Sequence, residues 1–377
     1  MRIEYVCVYD CKIHDPISVP WRSSIFQRFF LIAPSLIMHR TLSVLIPLAL
    51  LTLLPARAEA KPPVKMIFDT DMGNDIDDAM ALAMIHQLAR RGAVELLAVT
   101  STKDHPRSVA YIDALNTWYG FPDIPLGAVR DGAAKEEGKY IAQVDRKGPD
   151  GKALFPHDLD GTGAAEAVSL LRKTLAAQPD GSVMLVQVGF FTNLARLLDS
   201  KGDEHSPLDG PALIQAKVKE LVLMAGAFQT IRHNTKHIEY NVKLDIPSAK
   251  RIAADWPSPV VWSGYEIGIA AAYPWQSILE DFNYTEHHLI KDSYLAYVPR
   301  QPHDRPTWDL TAALYAIYPD RGYFDLSPKG LVSVDDEGRT DFTEKGDGND
   351  RYLLMNAAQT EKVREAFVQL CAEPPVR

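Results

Sequence analysis

Cysteine is scarce in this chain. It holds three, of which Cys7 and Cys11 lie in the first sixty residues, so residues 61–377 carry only Cys371 and can form no internal disulfide. Apolar packing must then hold the fold, and 46% hydrophobic content over 377 residues is ample for one large α/β domain or two average ones. Basic charge is also short. Outside the first sixty residues, 34 Lys and Arg face 45 Asp and Glu, a net of −11, which is a poor surface for nucleic acid. The longest apolar run, Leu42–Leu54, is too short to span a bilayer comfortably and contains Pro47.

That run has the flanks of an export signal. Met38-His39-Arg40 supplies a positive start and Ala56-Arg57-Ala58-Glu59-Ala60 a small-residue cleavage site, which predicts a periplasmic or secreted protein without a stable membrane anchor. Met38 also marks an alternative start that would leave residues 1–37 outside the translated chain. The rival is an uncleaved anchor over Phe29–Leu54 with Arg40 reaching toward the interface. Residues 1–60 are therefore expected to be a leader, with the folded chain in residues 61–377. Cys371 is expected to be unpaired.

What the chain does have is acid in one place. Lys65 to Ala79 carries five aspartates between positions 69 and 78, after the apolar run Met66–Phe68 and before the helix-like run Ala79–Leu88. The acids thus sit on a strand-to-helix turn, at the carboxyl end of a strand, where open α/β sheets place their sites. One or two of them could cap the helix, but five exceed what one N-terminus needs. Carboxylates this close repel and are costly to desolvate unless a cation lies between them. With no Cys or His cluster nearby, oxygen ligands suit a hard cation such as Ca²⁺ or Mg²⁺. An EF-hand is excluded, because the loop lacks Gly at its sixth place and Glu at its twelfth.

Further along, Val94–Thr100, Val183–Val188, Lys219–Ala225 and Pro259–Gly264 read as short buried strands, with Ile124–Val129 a weaker one. Helical patterns over Arg107–Tyr119, Ala164–Ala177, Tyr284–Tyr297 and the segment from Arg305 through Tyr318 alternate with them. This predicts an open, mostly parallel, Rossmann-like sheet with helices on both faces. The polar stretch Asp131–Gly163 is a long loop of the kind that is usually functional, and His157 in it is a substrate-binding candidate or a loop His bonded to nearby backbone. In Glu239-Tyr240-Asn241 the acid and amide alternate as on an extended backbone, a pair suited to hydroxyl groups. Asp309 stands at the start of a late helix, as Asp77 and Asp78 do at an early one.

Four segments, in order, resemble the inosine-uridine-preferring nucleoside hydrolase family. They are Asp69-x-Asp71 to Asp77-Asp78, Val188-Gly189-Phe190-Phe191-Thr192-Asn193-Leu194-Ala195, Glu239-Tyr240-Asn241 with Asp245, and Asp309; the resemblance runs from about Val64 to Pro319. It implies a Ca²⁺-dependent N-ribohydrolase that splits a nucleoside into ribose and base, usually a homo-oligomer. Carried over, Asp71, Asp78, Asp309 and the Val188 carbonyl would ligate calcium, and Asp71 would take the proton of a calcium-bound water. Asp77, Asn234, Glu239 and Asn241 would hold the ribose. The chemistry is coherent, since an oxocarbenium-like transition state needs carboxylates near the sugar.

The chain departs from the family pattern at three points. Asn74-Asp75 is a two-residue insertion in the acidic turn, Lys103-Asp104 stands where Gly-Asn is usual, and Trp308 replaces a His that can protonate the leaving group. Trp308 resembles the purine-preferring branch and implies stacking on the base. Two other classes compete. A non-catalytic calcium-dependent riboside-binding protein would carry the same ligands. A haloacid-dehalogenase-like phosphohydrolase would use Lys345–Asp350 as its late acidic motif, but Gly73 and the absence of an apolar strand before Gly346 speak against it.

Overall fold

The leader expected over residues 1–60 lies outside the residues that the computed structural model describes, which are 61–375 apart from 232, 233, 235, 236, 299 and 301. The first strand, β1 (Val64–Thr70), has Met66, Ile67 and Phe68 fully buried, the unbroken apolar run of a strand covered on both faces. Met66 and Phe68 belong to one core cluster and Ile67 to the other, as alternation across a strand requires.

Parallel to β1 on one side run β2 (Val94–Ser101), β3 (Leu126–Ala128) and the two-residue β4 (Ala165–Glu166). On the other side run β5 (Val183–Gln187), β6 (Val218–Met224) and β7 (Val260–Ser263), also parallel. After β7 come β8 (Asp325–Leu326), β9 (Gly330–Val334), β10 (Thr340–Glu344) and β11 (Asp350–Leu354). The order is β10-β9-β11-β7-β6-β5-β1-β2-β3-β4, with β8 against β11 and antiparallel pairing confined to the pairs β9–β10, β9–β11 and β8–β11. The chain moves outward from β1 to β4 and then returns to β5, so the switch point lies between β1 and β5. The carboxyl ends of these two strands open a crevice there.

The helix Asp77–Arg90 follows β1 directly and is buried from Asp77 through Leu88, packed between the helices Trp308–Ile317 and Ala357–Cys371. Cys371 is buried and unpaired, as expected. Among the described residues no helix is long and apolar enough to cross a membrane.

Three local expectations are corrected. Glu239–Asn241 is not extended: a short helix spans Tyr240–Leu244, and Glu239 caps it by accepting the N–H groups of Asn241 and Val242. Period-two polarity there reflects a cap and its first turn. The helix expected from Tyr284 begins at Leu289, where the His288 side chain accepts the N–H of Ile290. The acidic segment Val334–Asp350 reads as turn-rich, but it holds β10 together with the end of β9 and the start of β11, and Lys345–Asp350 makes the turn before β11.

Candidate active site

The acidic turn is pinned from two sides. Thr102 N–H donates to the Thr70 carbonyl at 2.8 Å, and Val188 N–H donates to the Asp69 carbonyl at 2.8 Å, so the ends of β1, β2 and β5 are tied together. Gly189 is required at this crossing, since a Cβ on it would sit 2.5 Å from the Asp71 nitrogen. Gly73, at φ +122°, supplies the reversal that a side chain would resist. From the long loop, the Tyr140 hydroxyl accepts the Gly73 N–H at 2.9 Å and donates to the Asp75 carbonyl at 2.7 Å, which clamps the inserted pair.

Each aspartate of the turn has a separate environment. Asp69 lies behind it, accepting from Thr100 Oγ1 at 2.5 Å and Asn193 Nδ2 at 2.8 Å; burial pushes its carboxyl up to about 7. Asp71 accepts the Asn74 amide, and burial pushes its carboxyl up to about 6 against the pull of Asn74 and the Lys103 ammonium. Asp78 accepts the Thr70 hydroxyl. Asp77 Oδ2 accepts the N–H groups of Trp308 at 2.8 Å and Asp309 at 3.2 Å, capping the late helix.

Carboxylate oxygens of Asp77, Asp78 and Asp309 all lie within 4.8 Å of one another, and all three residues are buried. Burial holds each carboxyl well above its usual range. Neighbouring charge adds to this: Asp75 on Asp77, Asp71 and Asp77 on Asp78, and Asp77, Asp78 and Asp71 on Asp309. An oxygen-only donor set whose members raise one another in this way fits a hard divalent cation, which relieves both burial and repulsion. The sequence expectation had Asp71 in this set and Asp77 on the ribose. The geometry draws Asp77 into the cluster, with Asp71 acting on it through charge.

A cavity of about 390 Å³ opens onto Asp71, Asp77, Asp78 and Asp309, and Val188, Glu239, Asn241 and Trp308 also line it. Asn241 Nδ2 donates to the Val188 carbonyl at 2.9 Å and to the Met224 carbonyl at 3.2 Å. With its amide nitrogen committed, Asn241 presents Oδ1 as an acceptor. Glu239 is buried and its carboxyl is pushed up to about 7 by burial, against the backbone amides it accepts. The Trp308 ring stacks with Tyr265 at 5.3 Å, and its Nε1 donates to the Tyr265 carbonyl at 2.8 Å.

Two predicted residues do not line this cavity. Asn234 is exposed, in a short backbone bridge with Ile231, and His157 pairs through Nδ1 with the Phe155 carbonyl at 3.0 Å. Lys103 is buried, but its ammonium is taken by Asn74 and Glu136. Sequence reasoning passed over Tyr265, Tyr297 and Arg305, which do line the cavity. Tyr265 opens a six-residue helix too short for periodicity to show, and Arg305 precedes a helix start whose signals are Trp308 and Asp309.

A family model described as inosine-uridine preferring nucleoside hydrolase matches residues 66–365. The chain is 31% identical over 206 residues to the pyrimidine-specific ribonucleoside hydrolase RihA of Shewanella sp. strain MR-4, a match that covers 54% of this chain and 59% of that protein. It spans about six tenths of the length of the curated relatives it matches. A solved plant nucleoside hydrolase, PpNRh1, superposes with a TM-score of 0.63 at 20% identity, covering 83% of this chain and all of that one. A purine-preferring ribonucleoside hydrolase from Gardnerella vaginalis superposes with a TM-score of 0.61 at 18% identity, covering 82% of this chain and 99% of that one. At these identities the likeness to the solved structures is one of fold.

Proposed function

The chain belongs to the inosine-uridine preferring nucleoside hydrolase family, and from that membership we propose that it hydrolyses the N-glycosidic bond of ribonucleosides to ribose and free base. The observation that carries the reading is the meeting of Asp71, Asp77, Asp78 and Asp309 on one cavity that Glu239 and Asn241 also line.

Asp77, Asp78 and Asp309, with Asp71 and the Val188 carbonyl beside them, would hold calcium. A cation bound there supplies positive charge that acidifies water. Asp71 accepts the proton of the water that attacks C1′, its carboxylate oriented by the Asn74 amide on Oδ2. Glu239 and the Oδ1 of Asn241 accept ribose hydroxyls. As the bond to the base lengthens, positive charge grows on the sugar, and the Asp71 and Glu239 carboxylates stabilise it.

The finer reading is a preference for purine bases. It rests on Trp308 and Tyr265 as a paired aromatic surface on the cavity and on the absence of histidine from its lining among the described residues. Export through the segment at residues 38–60 belongs to the same reading, and sequencing the N-terminus of the mature protein checks it.

The deciding experiment is a nucleoside panel with and without chelator, on wild type and Asp71→Asn. Expected is purine nucleoside hydrolysis that chelator abolishes and Asp71→Asn lowers by roughly 10²–10⁴. Riboside binding without ribose release would make the protein a binding protein instead.

A further inference from the structure

The proposed reaction gives Asp75, in the inserted pair, nothing to do. In the structure it holds Arg305 in a two-point pair, Arg305 Nε donating to Oδ1 at 3.0 Å and Nη2 to Oδ2. Nη2 also donates to the Tyr297 hydroxyl at 3.0 Å. The guanidinium lies over two rings, 5.0 Å from the Tyr297 centroid and 5.3 Å from that of Trp308. The backbone of Arg305 is pinned separately by a two-way bridge to Tyr273. These side-chain bonds use Nε and Nη2, which leaves Nη1 without a protein partner among the described residues, on a side chain that lines the cavity.

A glycosidic nitrogen leaves with the electron pair of its bond, so negative charge grows on the base. Most charged groups on this cavity are carboxylates, which oppose that charge, and no histidine among the described residues lines it to give a proton. Lys139 lines it too, but is exposed to solvent. Arg305 is different: its side chain is 19% exposed, its plane is fixed by Asp75, and aromatic rings flank it. A fixed cation in a partly desolvated site stabilises developing charge without reorganising.

We propose that Arg305 stabilises the departing base as an anion, and that Asp75 is the positioning residue that aims it. The water oxygen bonds to C1′ as the bond from C1′ to nitrogen breaks, and the bonding pair goes to the base. The water proton goes to Asp71, and the base anion, bonded to Nη1–H, takes a proton from solvent. Arg305 keeps its protons throughout, since a guanidinium does not titrate in this range. Asp71 later returns its proton to solvent, so the sum is riboside plus water to ribose plus neutral base.

The proposal rests on the hydrolase reading, so its test separates the two. Inosine is compared with p-nitrophenyl riboside, whose leaving group is stable as an anion unaided. Arg305→Met is expected to lower kcat/KM on inosine by roughly 10²–10³, mostly through kcat, and on the nitrophenyl riboside by less than about tenfold. Arg305→Lys should recover at least part of the inosine rate. Asp75→Asn, which keeps the guanidinium, should lose more on inosine than on the nitrophenyl riboside. Thermal unfolding of each variant identifies any that fails to fold, and the remaining variants then decide. Equal losses on both substrates, with wild type active, overturn the leaving-group role alone. A wild type that cleaves neither riboside removes the hydrolase reading and this inference with it.

Discussion

Asp77 caps a helix that begins 231 residues further along the chain, its Oδ2 accepting the N–H of Trp308 at 2.8 Å. The same carboxylate has an oxygen within 4.8 Å of those offered by Asp78 and Asp309. One side chain therefore holds the first acidic turn against the late acid and also contributes to the oxygen cluster. Asp77→Ala should cost about 1–2 kcal/mol of stability through the lost cap. Asp77→Asn should weaken calcium binding at least tenfold by calorimetric titration. Unchanged calcium affinity with a raised KM would return Asp77 to the ribose.

Chelation should destabilise the protein. A cation present at a hundred times its Kd adds about 2.7 kcal/mol to a folded state that alone binds it. Scanning calorimetry with EGTA and after calcium is restored reads this directly, and an unmoved Tm sinks the cation site.

The pH dependence of the chelated protein has a definite sign. Burial holds Asp69 and Glu239 at about 7, above the 3.8 and 4.5 expected of them unfolded. Folding therefore takes up protons at these groups. Their contribution to stability is complete below about pH 4 and is lost as pH rises through 7. In EGTA, Tm should be several degrees lower at pH 8 than at pH 5; a higher Tm at pH 8 would contradict the assignment.

Asn74 donates to Asp71 Oδ2, and Lys103 acts on Asp71 through charge; both oppose the effect of burial on its carboxyl. Removing either should raise the pKa of Asp71. The acid limb of the kcat/KM profile in Asn74→Ala or Lys103→Met should move to higher pH, by roughly one unit for a lost charge-assisted hydrogen bond. A limb that stays in place while overall activity falls would leave only a structural role for the pair.

Trp308→Ala tests the base preference. If the indole carries the base, purine nucleoside hydrolysis should fall about tenfold further than pyrimidine hydrolysis, as a stacking term of roughly 1–3 kcal/mol allows. Equal losses would show that Trp308 only packs against Tyr265.

The sequence alone determined the frame. Buried parallel strands read as unbroken apolar runs, and β1, β2, β5 and β6 were legible because their signal is local and repeats every residue or two. The aspartates after β1 announced a cation site for a similar reason, since repulsion among near neighbours depends only on spacing along the chain. The small elements were not legible. A five-residue helix capped by Glu239 is shorter than the period that would reveal it, and its polar pattern imitates a strand. Tertiary structure decided the partners. Whether Asp75 was idle or held a guanidinium depended on Arg305, 230 residues away, and no pattern along the chain marks that meeting. Asp77 likewise comes within reach of Asp309 only because the late helix docks on it. Both outcomes follow from packing, because the helix Asp77–Arg90 buries its length against Trp308–Ile317 and so brings two distant acidic ends into one crevice.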